Sequence, residues 1–168
     1  MNNYKNISVN KEKTALVAGS FDPVTAGHID LIKRAAQTYS VVYAVVFVNR
    51  EKEYMFPIEK RKAMLEAALK DMPNVRADLW TGMLYEYVKL KGIDVIVKGI
   101  RSEQDAEYER QQAEYNFAHS GVKTVLMEAD AAMAHISSTL ARRLISENKS
   151  LEGIVPAQAI EIIRKNGK

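Results

Sequence analysis

Ala18-Gly19-Ser20-Phe21-Asp22-Pro23-Val24-Thr25-Ala26-Gly27-His28 is the stretch of sequence that decides the fold of this chain. It follows a short apolar run and leads into an amphipathic segment, 29–36, so the pattern predicts a strand, a glycine-containing turn and a helix. In an open parallel α/β sheet, ligands bind at such a junction. Gly19 lets a ligand approach the backbone closely, and Ser20, His28 and the helix N-terminus offer donors to a phosphate. The alternative is an ordinary turn with His28 as a partly buried cap.

The composition places the chain among globular proteins and bounds its partners. Its 168 residues fit one domain, which we expect over 14–168, with 1–13 as a flexible N-terminal extension. The net charge of +3 is spread along the chain without a basic stripe, so we expect no nucleic-acid partner. The longest apolar run, 41–48, is too short to cross a bilayer, and we expect no membrane partner. Without cysteine there is neither a disulfide framework nor a thiolate metal site.

Apolar, β-branched runs recur along the chain with helical segments between them. Each intervening segment is long enough to hold a crossover helix, which favours a parallel sheet covered by helices. The expected fold is therefore α/β, a Rossmann-like doubly wound parallel sheet of about five strands with additional C-terminal helices. The predicted strands are 14–18, 41–48, 75–79, 94–98 and 123–127, and the predicted helices are 29–36, 57–70, 83–91, 103–118, 137–147 and 156–165.

Val97-Lys98-Gly99-Ile100-Arg101, at the end of the fourth predicted strand, is the second informative stretch. Strands one and four of a doubly wound sheet are neighbours where the crevice opens. We therefore expect Lys98 and Arg101 to face the same crevice as Ser20 and His28. A glycine between two cations suits a phosphate, because it combines close backbone approach with charge-assisted hydrogen bonds. The alternative is a strand end with surface basic residues.

The fourth predicted helix carries a polar stripe. Asp105, Glu109, Gln112 and Asn116 are spaced four, three and four residues apart and so share one face, with Tyr108 at its border. Such a face is most often solvated. The alternative is that Glu109 and Asn116 reach a ligand in the crevice.

Three consecutive hydroxyl residues, Ser137, Ser138 and Thr139, stand at the start of the fifth predicted helix. Hydroxyls at a helix N-terminus combine capping with anion binding, and capping alone needs only one of them. Arg142 and Arg143, one turn further along, could add positive charge to the same place.

Lys52 lies in the segment that follows the second predicted strand, at the carboxyl end of the sheet. This position directs it toward the crevice. Glu51 and Glu53 flank it, so the alternative is a solvated loop.

Several kinds of catalytic site are absent from the sequence. There is no P-loop motif, the three histidines have no metal-ligand spacing, and there is neither a Gly-x-Ser-x-Gly elbow nor a cysteine nucleophile. What remains is a crevice of phosphate-holding residues without a protein nucleophile. That combination fits transfer between two phosphorylated small molecules, catalysed by positioning and charge stabilisation.

The first stretch, Gly-Ser-Phe-Asp-Pro-x-Thr-x-Gly-His, resembles the signature turn of the nucleotidylyltransferases. Thr25 stands where many of these enzymes have histidine, and threonine there is typical of one branch, the bacterial phosphopantetheine adenylyltransferases. The resemblance covers roughly residues 14–163. The other motifs that recur in this branch in the same order are Lys98-Gly-Ile-Arg101, Asp105, Glu107-Tyr108-Glu109, Asn116 and Ile136-Ser-Ser-Thr139.

This resemblance implies transfer of the adenylyl group of ATP to 4′-phosphopantetheine by direct in-line attack. The products would be dephospho-coenzyme A and pyrophosphate, at the penultimate step of coenzyme A biosynthesis. It also implies Mg²⁺ held mainly by the ATP phosphates and not by protein side chains, a homohexamer, feedback by coenzyme A and a cytoplasmic location. The competing hypotheses are a sister nucleotidylyltransferase that uses CTP or another acceptor, and a non-catalytic nucleotide-binding module.

The resemblance also implies roles for individual residues. Those implied in catalysis are Ser20, His28, Lys52 and Lys98. Those implied in ATP binding are Ser20, Phe21, His28, Gly99, Ile100, Arg101, Glu109, Met133, Ala134, His135, Ile136, Ser137, Ser138 and Thr139. Those implied in binding the acceptor are Ser20, Lys52, Leu84, Lys98, Tyr108 and Asn116.

Three features depart from the family pattern. Lys98 stands where the family usually has arginine, which replaces a bidentate fork by a point charge. The loop around Lys52 lacks the usual richness in proline and lysine. Met133 occupies a position that is often aromatic in the family. The adenine would therefore pack against a methionine side chain and not against an aromatic ring.

Overall fold

Strands and helices alternate along residues 13–165, the part of the chain that the computed structural model describes. The predicted extension 1–13 lies outside these residues, apart from Lys13. The strands are Thr14–Gly19 (β1), Val41–Phe47 (β2), Val75–Trp80 (β3), Val95–Ile100 (β4) and Thr124–Glu128 (β5). The helices are Ala26–Thr38 (α1), Ile58–Leu69 (α2), Leu84–Lys91 (α3), Glu103–Ser120 (α4), Ser138–Ser146 (α5) and Ala157–Lys165 (α6).

The five strands form one parallel sheet in the order β3-β2-β1-β4-β5. β1 pairs with β2 on one side, where Thr14 lies opposite Val41, and with β4 on the other, where Ala15 lies opposite Val95. The strand order therefore reverses between β1 and β4. The predicted α/β class, the parallel sheet and the adjacency of strands one and four are all confirmed.

Alternation along β1 explains why helices cover both faces of the sheet. Ala15 and Val17 belong to a core under α1, α2 and the C-terminal helices, whereas Leu16 points to the opposite face and packs with Tyr87 and Val88 of α3. Successive residues of a strand point to opposite faces, so an apolar run without polar interruptions is what a strand buried on both faces requires. α4 packs beside α3 against β4 and β5.

Two predicted boundaries are wrong in ways that affect the crevice. β4 continues to Ile100 because Gly99 and Ile100 still pair with β5, so Lys98 and Gly99 lie within the strand and not at its end. α1 starts at Ala26 and not at residue 29, because Thr25 caps the helix by accepting a hydrogen bond from the third helical residue.

The remaining predicted helices differ from the observed ones by at most two residues at either end. α3 ends as predicted at Gly92, which adopts the left-handed conformation (φ 63°) and donates its N–H to the Val88 carbonyl. In α2 the apolar residue Met64 is buried, and so is the charged residue Arg61. Within residues 13–165, no helix combines the length and apolarity needed to span a membrane.

Candidate active site

A crevice opens at the carboxyl ends of β1 and β4, where the strand order reverses. Its larger cavity has a volume of about 440 Å³ and its smaller one about 190 Å³. The two cavities share Lys98, Tyr108 and Glu109 in their walls. The predicted site residues in the wall of the larger cavity are Ser20, Phe21, His28, Lys52, Lys98, Gly99, Ile100, Arg101, Tyr108, Glu109, Met133, Ile136, Ser137, Ser138 and Thr139.

The smaller cavity lies between the start of α3 and one face of α4. Its wall includes four of the residues implied in acceptor binding: Leu84, Lys98, Tyr108 and Asn116. Asn116 is buried, and Glu109 is half-buried. The polar stripe of α4 is therefore turned partly toward the crevice, and whether Glu109 and Asn116 contact a ligand there stays a prediction.

His28 is fixed in one tautomer by the turn that precedes its helix. The backbone N–H of Thr25 donates to His28 Nδ1 over 3.0 Å, and the edge of the Phe21 ring packs against the imidazole. Because Nδ1 accepts this hydrogen bond, it carries the lone pair and the ring proton sits on Nε2. Burial, reinforced by the positive charge of Arg101, lowers the pKa of His28 to about 4. At neutral pH the residue is an uncharged Nε2–H donor in the wall of the larger cavity.

Phe21 holds the turn in an unusual backbone conformation. It is a non-glycine residue in the left-handed region (φ 47°), and its side chain is buried. The ring packs closely over Gly19, where an added Cβ would lie 3.4 Å from it, at ordinary van der Waals contact. Such conformations persist only where the surroundings determine them strongly.

Lys98 brings together charges from three parts of the chain. Its Nζ donates to the Ala18 carbonyl over 3.4 Å, which directs the half-buried ammonium across the end of β1. Burial lowers the pKa of Lys98; the negative charge of Glu109 opposes this shift, and the positive charge of Lys52 adds to it. Lys52 from the loop after β2, Lys98 from β4 and Glu109 from α4 therefore line the same cavity.

Arg101 connects the end of β4 to the start of α5. Its Nη1 donates to the Ile136 carbonyl over 3.3 Å, and its backbone N–H donates to the Asp105 carboxylate over 3.1 Å. The side chain remains 45% exposed. Its Nε also lies 3.8 Å from the Asp105 carboxylate. Since the side chain lines the larger cavity, the N–H groups of the guanidinium beyond these two contacts can bind an anion there.

The three hydroxyl residues at the start of α5 have three different partners. Ser137 caps the helix by accepting a backbone N–H over 3.0 Å, Ser138 donates to the Pro23 carbonyl over 2.9 Å, and Thr139 accepts from Arg142 over 3.1 Å. The helix N-terminus is thus docked against the β1–α1 turn. Ser137, Ser138 and Thr139 line the same cavity as His28, and a helix N-terminus in such a wall is suited to phosphate.

Comparison with known proteins identifies the family. Residues 16–144 match the family described as Cytidylyltransferase-like. The phosphopantetheine adenylyltransferase of Clostridium novyi is 39% identical over 158 residues, which are 93% of this chain and 98% of that protein. That of Symbiobacterium thermophilum is 41% identical over 84% of this chain and 88% of that protein, and that of Corynebacterium diphtheriae is 39% identical over 91% and 98%. The chain belongs to the phosphopantetheine adenylyltransferase family. The resemblance seen in the sequence motifs is confirmed.

Two residues implied in ATP binding by the phosphopantetheine adenylyltransferase pattern do not line the crevice. Ala134 and His135 are exposed and belong to the wall of neither cavity. The chain turns here, since the N–H of Ile136 donates to the Met133 carbonyl over 3.0 Å. This turn directs Met133 and Ile136 inward and leaves the two residues between them outside. Arg143 is exposed and also lies outside both walls.

Sequence reasoning missed other residues of the wall. Arg34 lines the larger cavity, where its guanidinium donates to the Glu128 carbonyl and pairs with Asp30. In the sequence it is indistinguishable from a surface residue of α1. Gln112 and Tyr115 line the smaller cavity. Gln112 was part of the predicted polar stripe, whereas no signal distinguished Tyr115.

Proposed function

We propose that this chain transfers the adenylyl group of ATP to 4′-phosphopantetheine and releases dephospho-coenzyme A and pyrophosphate. The observation that carries the proposal is the pair of adjoining cavities, with the neutral donor His28 in the larger one and Lys98 in the wall of both. A reaction between two phosphorylated molecules needs two compartments that meet at the reacting phosphates. The names of the relatives support the choice of substrates.

The chemistry requires no general base. A phosphate monoester has its second pKa near 6, so the acceptor is largely dianionic at pH 7 and has no proton to lose. One of its oxygens bonds to the α-phosphorus of ATP, while the bond from that phosphorus to the bridging oxygen breaks in line. Pyrophosphate leaves with the bonding electrons, and no covalent intermediate with the protein is needed.

His28 would stabilise the charge that develops on the α-phosphoryl oxygens. Its Nε2–H is preorganised by the hydrogen bond from Thr25, so little reorganisation accompanies the reaction. Arg101, the backbone of Gly99 and the N-terminus of α5 would hold the rest of the nucleotide from the other walls of the larger cavity. Met133 lies in the same wall and would pack against the adenine.

Lys98 and Lys52 would bind and aim the acceptor phosphate. Lys98 lies in the wall of both cavities, Lys52 lines the larger one with it, and the positive charge of Lys52 contributes to the lowered pKa of Lys98. Leu84, Tyr108 and Asn116 would line the path of the pantetheine arm in the smaller cavity. Effective catalysis then depends on holding the two phosphates in line.

The donors in the larger cavity fit Mg²⁺ only as an ion carried by the ATP phosphates. Within residues 13–165 no three histidine or carboxylate side chains cluster as a metal site. The carboxylates in the wall are Asp105 and Glu109, and Asp105 already accepts the N–H of Arg101. Mg²⁺ commonly binds through substrate phosphates with few protein ligands, so Glu109 is the residue that would approach it. Bound in this way, the ion would neutralise triphosphate charge.

We extend the proposal to assembly, feedback and location. Exposed aromatic side chains on α4, Tyr115 and Phe117, support burial against other copies in a homohexamer, which light scattering would test. Coenzyme A contains the pantetheine arm of the acceptor and would compete for the smaller cavity. The proposed use of ATP supports a cytoplasmic location.

Pyrophosphate release tests the reaction directly. The protein is incubated with ATP, Mg²⁺ and 4′-phosphopantetheine, and in parallel with CTP and glycerol 3-phosphate. We expect pyrophosphate only in the first mixture. Release only in the second would identify a sister nucleotidylyltransferase, and release in neither, with ATP still bound, would identify a nucleotide-binding module.

A further inference from the structure

Arg61 is a buried cation that lies outside both cavities. It projects from α2, and only 2% of the residue is exposed. Its Nε donates to the Phe56 carbonyl over 3.0 Å and its Nη1 to the Ser20 carbonyl over 2.9 Å. Its guanidinium also lies 3.9 Å from the centre of the Tyr54 ring. One side chain therefore touches both the β1–α1 turn and the loop that precedes α2.

Asp22 makes the complementary connection from the turn. Its buried carboxylate accepts the backbone N–H of Met55 over 2.8 Å and that of Phe56 over 3.0 Å. Burial lowers the pKa of Arg61, and the charge of Asp22 opposes that shift. The Asp22 carboxylate of the turn accepts hydrogen bonds from the loop, and the Arg61 guanidinium donates hydrogen bonds to the turn and to the loop. Both side chains are buried, so water has little access to this network.

The loop held by this network carries Lys52. The Tyr54 hydroxyl accepts the N–H of Asn49 over 2.7 Å, which closes the loop over residues 49–54. Lys52 lies near its tip, exposed to solvent and facing the larger cavity. Since Tyr54 packs on Arg61, the closed end of the loop rests on the same guanidinium that bonds Ser20.

We propose that Arg61 and Asp22 are positioning residues that set Lys52 relative to Ser20, so that both meet the acceptor phosphate. This inference rests on the proposed function for the identity of the acceptor. Neither residue touches a substrate. Their effect is exerted through the backbone of the turn and through the loop, because charge-assisted hydrogen bonds fix both segments to each other.

Arg61→Lys tests the network, because an ammonium keeps the charge but lacks the planar fork that serves two carbonyls and stacks on a ring. We expect the KM for 4′-phosphopantetheine to rise about tenfold, while the KM for ATP, which has many other contacts, changes less than about twofold. Without any substrate, amide exchange at Met55 and Phe56 and tryptic cleavage after Lys52 should both accelerate.

Met64→Ala is the matched control, since Met64 is fully buried on the same helix and contributes to the core without a hydrogen bond to the loop. We expect it to reduce stability and leave both KM values unchanged. An equal rise in acceptor KM for both variants would show a merely structural role and overturn the inference. So would unchanged exchange, cleavage and KM in Arg61→Lys.

Asp22→Asn is a second, milder test in case Arg61→Lys fails to fold. The amide of asparagine keeps only one of the two oxygens that accept the N–H groups of Met55 and Phe56, so the network is weakened and not removed. The same exchange and cleavage readouts are expected to accelerate, and their constancy would overturn the inference. Absence of turnover by the unsubstituted protein would refute the proposed reaction instead. In that event the substrate-free measurements still decide whether the network positions the loop.

Discussion

The β1–α1 turn and the loop after β2 reach the same crevice, yet the chain holds them differently. Residues 21–25 of the turn are all buried, whereas residues 50–53 of the loop are all exposed. The turn presents His28 in a fixed tautomer, and the loop presents Lys52 on a long side chain in water. The group proposed to act on the transition state is thus preorganised, and the group proposed to capture the acceptor lies in solvent at the tip of its loop.

This difference has an energetic reason. A donor that stabilises developing charge is most effective when it is already oriented and shielded from water. A lysine that attracts a phosphate from solution needs its charge, and burial would weaken that charge by lowering its pKa. Lys98 lies between the two extremes, half-buried and with a lowered pKa.

The largest effect is expected from the turn. His28→Ala removes the preorganised Nε2–H, and we expect kcat to fall by about 100-fold or more while ATP still binds. Steady-state kinetics and calorimetric ATP titration measure the two quantities. His119→Ala, which removes an exposed histidine of α4, is the control. If kcat were unchanged in His28→Ala, His28 would not stabilise the transition state, and the proposed contrast between a preorganised turn and an exposed loop would be wrong.

Lys98→Ala should have the next largest effect, on the acceptor and not on the nucleotide. Loss of a charged hydrogen-bond donor is expected to raise the KM for 4′-phosphopantetheine about 30-fold. Lys62→Ala, which removes a lysine paired with Glu66 on α2, controls for loss of one positive charge. An acceptor KM that stays constant in Lys98→Ala would contradict the role of this residue.

Alkaline pH should reproduce part of that effect without a mutation. Because burial lowers the pKa of Lys98 below its ordinary value of 10.5, its ammonium loses the proton at a lower pH than a solvated lysine does. We therefore expect kcat/KM for the acceptor to fall about tenfold for each pH unit above that pKa. Lys98→Arg, which stays charged, should lack this decline in a pH series at saturating ATP. An identical decline in both proteins would assign it to another group.

The smallest effect is expected from the loop. Lys52→Ala removes an exposed charge, so we expect the acceptor KM to rise only about threefold to fivefold. The difference from the unsubstituted protein should shrink as salt is added, because exposed charges are screened. Initial rates at low and high ionic strength test this. An effect as large as that of Lys98→Ala would show that the loop closes over the acceptor.

Much of the fold could be predicted because its signals are local. The apolar run of β1, the glycine at the end of α3 and the hydroxyls before α5 each indicate their structure within a few residues. The prediction that Lys98 and His28 line the same crevice required one further rule, the adjacency of strands one and four in a doubly wound sheet. The end of β4 was misplaced because it depends on pairing with β5, which no local pattern reveals.

The network around Arg61 could not be predicted from the sequence. In the sequence Arg61 stands between two lysines, Lys60 and Lys62, and resembles a solvated side chain. Its hydrogen-bond partners are the backbone carbonyls of Phe56 and of the more distant Ser20. Every residue has a backbone carbonyl, so the identity of a residue in the sequence does not reveal which carbonyl an arginine will bind. The same holds for Arg34, whose partner across the crevice is a carbonyl of β5.

The division of the crevice has a consequence for how such a protein can diverge. Leu84, Gln112 and Asn116 line only the smaller cavity, while His28 and the start of α5 line only the larger. Substitutions between α3 and α4 can therefore accumulate, or be introduced by design, without changing the wall of the larger cavity, in which the nucleotide is proposed to bind. A lineage on this scaffold can change the molecule it modifies and inherit its transfer chemistry intact.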